Sequence, residues 1–232
     1  MKNLLMAFIL LSVSQLASAE IVEVYQWEPY PGRAADLLTT MQEAAQIHTS
    51  LGATIQINVL DIGSTQNIDY VMRYDDLISW GESRDKNLMS AEWTAFFARV
   101  SANPAGKLVS SVQGINTDTT TMADDFTDQS IFNVSVFDPD PGGSAILAEG
   151  FSTAKLMHEA MGARVETYTE LYGGTDKMHY VMFFDSWAHM AQVTEAMNSS
   201  EAWQTFNSAT LSNPNPGSAL VERFSGRVVA NF

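Results

Sequence analysis

His179 lies in a stretch whose residues alternate between two faces, and the same alternation places Glu166 and Tyr168 of the preceding stretch on its side. An imidazole assisted by a carboxylate is a general-base arrangement, which makes His179 the candidate catalytic residue. Around 21–28 the parity gathers Glu23, Tyr25 and Trp27 on one face and leaves Val22 and Val24 for the other. In the stretch around 131–138 it separates Asn133, Ser135 and Phe137 from Phe132 and Val134. The apolar sets are expected under helices, and the polar and aromatic sets inside the molecule between two sheets. Gln56 and Asn58, Asp69 and Arg73, and His179 and Phe183 join that interior by the same count. Aromatic walls with a few polar groups suit a small apolar or aromatic molecule, with Glu23, Tyr25, Trp27, Glu166 and Tyr168 as its ligand-binding residues. The plainer alternative is that these side chains merely satisfy one another.

The remaining candidates are weaker. His48 and His158 fall on the core-facing stripe of two equivalent helices, where bonding a strand carbonyl is the expected role. His189 follows Trp187 at a helix start and reads as exposed. No spacing of His and carboxylates matches a metal site, so no metal is expected. A haem would need an axial histidine in the interior, and only His179 has that parity. Asp138-Pro139-Asp140-Pro141-Gly142-Gly143 is a turn too short for a calcium loop and lacks its final Glu. There is no phosphate-cradling glycine loop and no Gly-x-Ser-x-Gly elbow.

The elements that must carry these residues are written twice. A shift of 110 superposes Pro31-Gly32 on Pro141-Gly142, His48 on His158, Gly63 on Gly173 and Tyr70-Val71-Met72 on Tyr180-Val181-Met182. Trp93 then meets Trp203, and Asn103-Pro104 meets Asn213-Pro214, without a gap. Coincidences this dense at one offset mark an internal duplication. Each copy reads as a strand, a long helix closed by Gly52 or Gly162, two strands about a glycine turn, a helix broken near Ser90 or Ser199, and a last strand. That order is the ferredoxin-like βαββαβ arrangement, of fold class α+β. Helices cover one face of each four-stranded sheet, so the two repeats are expected to pack sheet to sheet as a single-chain α+β barrel. The expected boundaries are 1–19 for a leader, 20–115 and 131–232 for the repeats, and 116–130, rich in Thr and Asp, for a linker.

Tyr180-Val181-Met182-Phe183-Phe184-Asp185-Ser186-Trp187 and Ser199-Ser200-Glu201-Ala202-Trp203-Gln204-Thr205-Phe206 resemble the dimeric α+β barrel superfamily, nearest its antibiotic-biosynthesis-monooxygenase-like group. Tyr70 to Trp80 and Ser90 to Phe97 carry the pattern more loosely. The resemblance implies the barrel, with this chain as a covalent pseudo-dimer. Among activities it implies cofactor-free monooxygenase-like or cyclase-like chemistry, with haem binding less favoured. Many members have a His in the helix after the strand, where this chain has Ala196-Met197.

Lys2, the apolar run Leu4 to Val13 and Ala17-Ser18-Ala19 form the pattern of a secretory signal peptide, with an apolar run of about ten residues against the twenty a span requires. A periplasmic or secreted protein without a membrane anchor is expected. The absence of cysteine removes disulfide and thiol chemistry. A formal charge of −15, one unit more negative without Lys2, disfavours nucleic acid and anionic lipid as partners. The expected partner is a small apolar or aromatic molecule bound by a monomeric pseudo-dimer. A non-catalytic periplasmic interaction module is the alternative from another class.

Overall fold

The computed structural model describes residues 19–63, 67–214 and 216–232. The leader, apart from Ala19, lies outside the described residues. The first repeat runs β1 (Ile21–Pro29), α1 (Ala34–Ser50), β2 (Thr54–Ile62), β3 (Ile68–Tyr74), α2 (Leu77–Met89), α3 (Ala91–Ser101) and β4 (Gly106–Asn116). The second runs β5 (Ile131–Pro139), α4 (Ser144–Ala160), β6 (Arg164–Tyr172), β7 (Met178–Phe184), α5 (Trp187–Ser199), α6 (Glu201–Ser212) and β8 (Ser218–Asn231). The strands close into one antiparallel barrel in the order β1-β3-β2-β8-β5-β7-β6-β4. Two seams, β2 with β8 and β4 with β6, join the repeats and leave no free sheet edge.

Local chemistry explains the elements. Leu37, Met41, Ala44, Ala45 and His48 give α1 a buried stripe at helical spacing. Ser90 accepts a hydrogen bond from the Trp93 amide and Ser200 one from the Trp203 amide, so the same N-cap starts α3 and α6. Gly63 and Gly173, at equivalent hairpin turns, have φ of 84° and 80°. A Cβ on Gly173 would sit 2.2 Å from the Ser111 carbonyl oxygen of the other repeat. Gly173→Ala should therefore cost about 2 kcal/mol, read as a fall of roughly 4–8 °C in thermal midpoint. An unchanged midpoint would mean that the turn does not lock the β4–β6 seam.

The core has three parts. Ile21, Ile55, Ile57, Tyr70 and Met72 pack under the helices of the first repeat, and Ile131, Val165, Tyr180 and Phe184 under those of the second. Val22, Val71, Phe132, Val134, Val181 and Phe183 meet inside the barrel. This reverses the expected parity of β1 and β5. Val22 and Val24 lie opposite Arg73 and Val71 and face inward, whereas Glu23 and Tyr25 lie opposite Met72 and Tyr70 and face the helices. Trp27 packs with the same helix-side core, and Phe137 stacks edge-on with Phe151 of α4. Barrel strands under helices are buried on both faces, so polarity does not tell inside from outside. On β1 the lumen takes the valines, and Tyr25 and Trp27 go outward.

The linker is structured. A 3-10 turn at Ala123–Phe126 inserts Phe126, 1% exposed, into the barrel end, 5.3 Å from the Phe183 ring. Among the described residues no helix is long and apolar enough to cross a membrane.

Candidate functional site

Between the two sheets lies a cavity of about 390 Å³. Its walls are apolar, with Val24 and Val71 from the first repeat facing Val134, Val181 and Phe224 from the second. Asp69, His179, Glu170 and Glu222 are among the polar residues that line it, and Glu222 and Thr175 are exposed where the cavity reaches solvent. Asp69 on β3 and His179 on β7 occupy equivalent positions of the two repeats. The duplication thus sets a carboxyl and an imidazole at matched points of one lumen.

His179 holds Glu170 through Nε2, 2.9 Å from Oε1. The other carboxylate oxygen accepts from the Thr175 amide at 2.7 Å and the Lys177 amide at 3.1 Å. Burial alone would raise the Glu170 pKa; the His179 hydrogen bond and the two backbone amides outweigh it and hold it at about 2. An ionised carboxylate can only accept, so His179 donates from Nε2 and keeps its lone pair on Nδ1. The expected partner was Glu166. That residue instead sits further along β6, opposite Val181, where it accepts from Arg164, Asn116 and Thr121. Tyr168 is directly opposite His179 and lines the lumen, as the parity required, but its hydroxyl donates to Glu20 and accepts from Arg73.

Like Glu170 and Asn58, Asp69 is a polar lumen residue that the candidate site list lacked. Its Oδ1 and the Oδ1 of Asn58, directly across the β2–β3 ladder, are both buried without a hydrogen-bond partner among the described residues. Burial pushes the Asp69 carboxyl up to about 7, with Gln26 opposing and Glu222 adding to the rise. A signal existed in the sequence: Asp69 falls at the position equivalent to His179.

The other expected site residues lie elsewhere. Glu23 accepts from the Trp80 indole at 2.8 Å and the Tyr25 hydroxyl at 3.0 Å, and both Glu23 and Tyr25 line a separate cavity of about 270 Å³ under α2. Trp27 packs against the helices. His48 and His158 meet the hydroxyls of Tyr70 and Tyr180, each at 2.8 Å, and lean on Trp93 and Trp203. Their partners are tyrosines on β3 and β7 rather than strand carbonyls. Burial lowers the pKa of each to about 4.

The end opposite the opening is sealed by charge. Arg73 reaches Glu20, which is fully buried, while Asn116 bridges Glu20 and Glu166. The Arg73 guanidinium lies 3.8 Å over the Phe126 ring.

No family model matches the chain, and no curated protein does. Solved structures do. A candidate monooxygenase from Fusobacterium nucleatum superposes with a TM-score of 0.65 at 12% identity, covering 92% of this chain and 94% of that one. An anthrone oxidase-like protein gives 0.59 at 12% identity, with 93% of each chain covered. A candidate chlorite dismutase gives 0.56 at 11%, covering 91% and 96%. At these identities the likeness concerns the fold: the chain is a single-chain α+β barrel of two ferredoxin-like repeats, similar across its length to monooxygenase-like and chlorite dismutase-like structures.

The lumen does not fit a haem. Glu170 engages Nε2 of His179, and the remaining Nδ1 is adjacent to the side chain's own stem, which obstructs a flat macrocycle.

Proposed function

We propose that this chain is exported, binds one small, largely apolar molecule inside the barrel, and moves a proton on it with the His179–Glu170 pair without a bound cofactor. The carrying observation is an apolar lumen that contains an imidazole whose partner carboxylate is tethered by two backbone amides. A molecule seated against Val71, Val134 and Phe224 excludes water from the polar groups, which strengthens every charge interaction there. His179 accepts the proton at Nδ1, and the ionised Glu170 stabilises the imidazolium that forms. Where the proton comes from carbon, the carbanion left behind either closes a ring or reacts with molecular oxygen, which as co-substrate gives one atom to that carbon and leaves the other as water. Export rests on the leader-like composition of residues 2–19.

A thermal-shift screen of aromatic and polycyclic phenols, followed by oxygen-uptake and absorbance assays on the hits, tests this reading. Hits should stabilise the wild type and lose that effect in Val134→Trp, which fills the lumen. His179→Gln should keep binding and lower turnover by about 10²–10⁴-fold. Hits that stabilise both proteins alike would place binding outside the barrel. Binding in the lumen without turnover would favour the non-catalytic module.

A further inference from the structure

We infer that the lumen selects a molecule carrying a protonated amine on its apolar body, with the ammonium seated between Asn58 and Asp69. This rests on the proposed use of the lumen and specifies the ligand's chemical class.

Four observations carry it. First, Asn58 Oδ1 and Asp69 Oδ1 are acceptors on two neighbouring strands, each side chain more than nine-tenths buried, and neither has a donor among the described residues. A buried acceptor left unmade is costly, so an adjacent pair facing a cavity calls for a ligand that donates at least twice. Second, the charge of the site is negative. Asp69, Glu170 and Glu222 line it, and Glu20 already neutralises Arg73. Lys177 lies at the opening. Third, the walls around this polar spot are Val24, Val71 and Val136, which fit a hydrocarbon or ring rather than a polar tail. Fourth, the second repeat supplies no copy of the pair. Asn58 and Asp69 correspond to Tyr168, whose hydroxyl meets Arg73 and Glu20, and His179, whose Nε2 meets Glu170, so no pair of unpartnered acceptors recurs there. The polarity of the lumen is therefore one-sided, and the ligand has a defined orientation, its cationic end on the first repeat.

The groups facing Asp69 are Gln26 on β1, Asn58 on β2 and Glu222 on β8. None of them is cationic, so the ligand has to bring the positive charge. Binding an ammonium requires the Asp69 carboxyl to be ionised. Affinity should therefore rise several-fold between pH 6 and 8, where the amine stays protonated.

Isothermal titration with 2-phenylethylamine, 2-phenylethanol and 3-phenylpropionate, three probes of similar shape, separates the outcomes. Nile red fluorescence serves as an independent reporter of the lumen, its signal assigned by loss in Val134→Trp. The amine should bind at least tenfold more tightly than the alcohol, and the acid should not compete. Asp69→Asn, which removes a buried acid and should fold, is expected to abolish the preference for amine over alcohol and the pH dependence, while retaining Nile red. Asn58→Leu should weaken the amine alone. Equal binding of amine and alcohol to the wild type, or an Asp69→Asn protein with unchanged amine affinity, overturns the inference. So does Nile red binding in the lumen without any binding of the amine, and that result leaves the wider reading of the lumen intact. Failure of Nile red and all three probes overturns both.

Discussion

Arg73→Met should destabilise the barrel by about 3–5 kcal/mol, enough to leave a protein of ordinary stability marginally folded. Arg73 is 5% exposed, and the Glu20 carboxylate it meets is fully buried. Removing one partner of such a pair leaves an uncompensated charge in a low dielectric, a far larger penalty than the loss of a surface ion pair. The consequences extend further, because Tyr168 also accepts from Arg73 and Phe126 lies beneath its guanidinium. Burial by itself would lower the Arg73 pKa, but Tyr168 and Glu20 overcome that and raise it, so the group stays charged at every accessible pH. Urea unfolding followed by tryptophan fluorescence measures the loss. The double variant Arg73→Met with Glu20→Leu should recover most of it, because no charge is then stranded. A single-variant loss below about 1 kcal/mol would mean that water reaches this end of the barrel, contrary to the seal described above.

Acid should weaken the fold through a different pair. His48 and His158 hold folded pKa values of about 4 against 6.5 for the free side chain. Between those values the unfolded chain binds protons that the folded chain refuses, so stability falls as pH drops from about 6.5 towards 4. The expected loss is on the order of 2 kcal/mol for each histidine by the lower end of that window. Asp69 acts in the opposite direction. Its raised pKa makes the folded state bind a proton between about 4 and 7, so its contribution declines as pH rises through that window. Two histidines against one carboxyl leave a net loss in acid. Urea midpoints at pH 7.5, 6 and 4.5 should fall in that order for the wild type. The double variant His48→Gln, His158→Gln should lower stability at pH 7.5, by loss of the tyrosine hydrogen bonds, while flattening the dependence. A slope unchanged in the double variant would assign the acid sensitivity to other groups.

Most of the architecture was legible because the chain states it twice. The equivalence of Gly63 with Gly173, and of Ser90 with Ser200 at the caps, fixed the elements and their order, and the ferredoxin-like order leaves few ways to bury both sheet faces. Parity worked for β2, β3, β6 and β7, where Ile55, Ile57 and Val165 are so strongly apolar that Gln56, Asn58 and Tyr168 must point the other way. It failed for β1, where Ile21, Tyr25 and Trp27 on one face compete with Val22 and Val24 on the other, and ring size rather than polarity decides. The partner of His179 was misjudged for a reason of register. Glu170 lies beyond the last ladder pair, Thr169 with Met178, and the hairpin turn folds its carboxylate back over the imidazole. The linker offered no periodicity, and the burial of Phe126 rests on long-range contacts with Arg73 of one repeat and Phe183 of the other.

Native mass spectrometry of the protein, taken from the extracellular or periplasmic fraction of its own host and recorded beside a denatured sample, tests the central claim most directly. One molecule of small mass should accompany the folded wild-type chain, leave on denaturation, and be absent from Val134→Trp. Its composition should be hydrocarbon-rich, with a basic nitrogen. A copurifying molecule held equally by the filled barrel would contradict the lumen as the site, as would a wild-type chain that emerges bare and takes up none of the screened compounds.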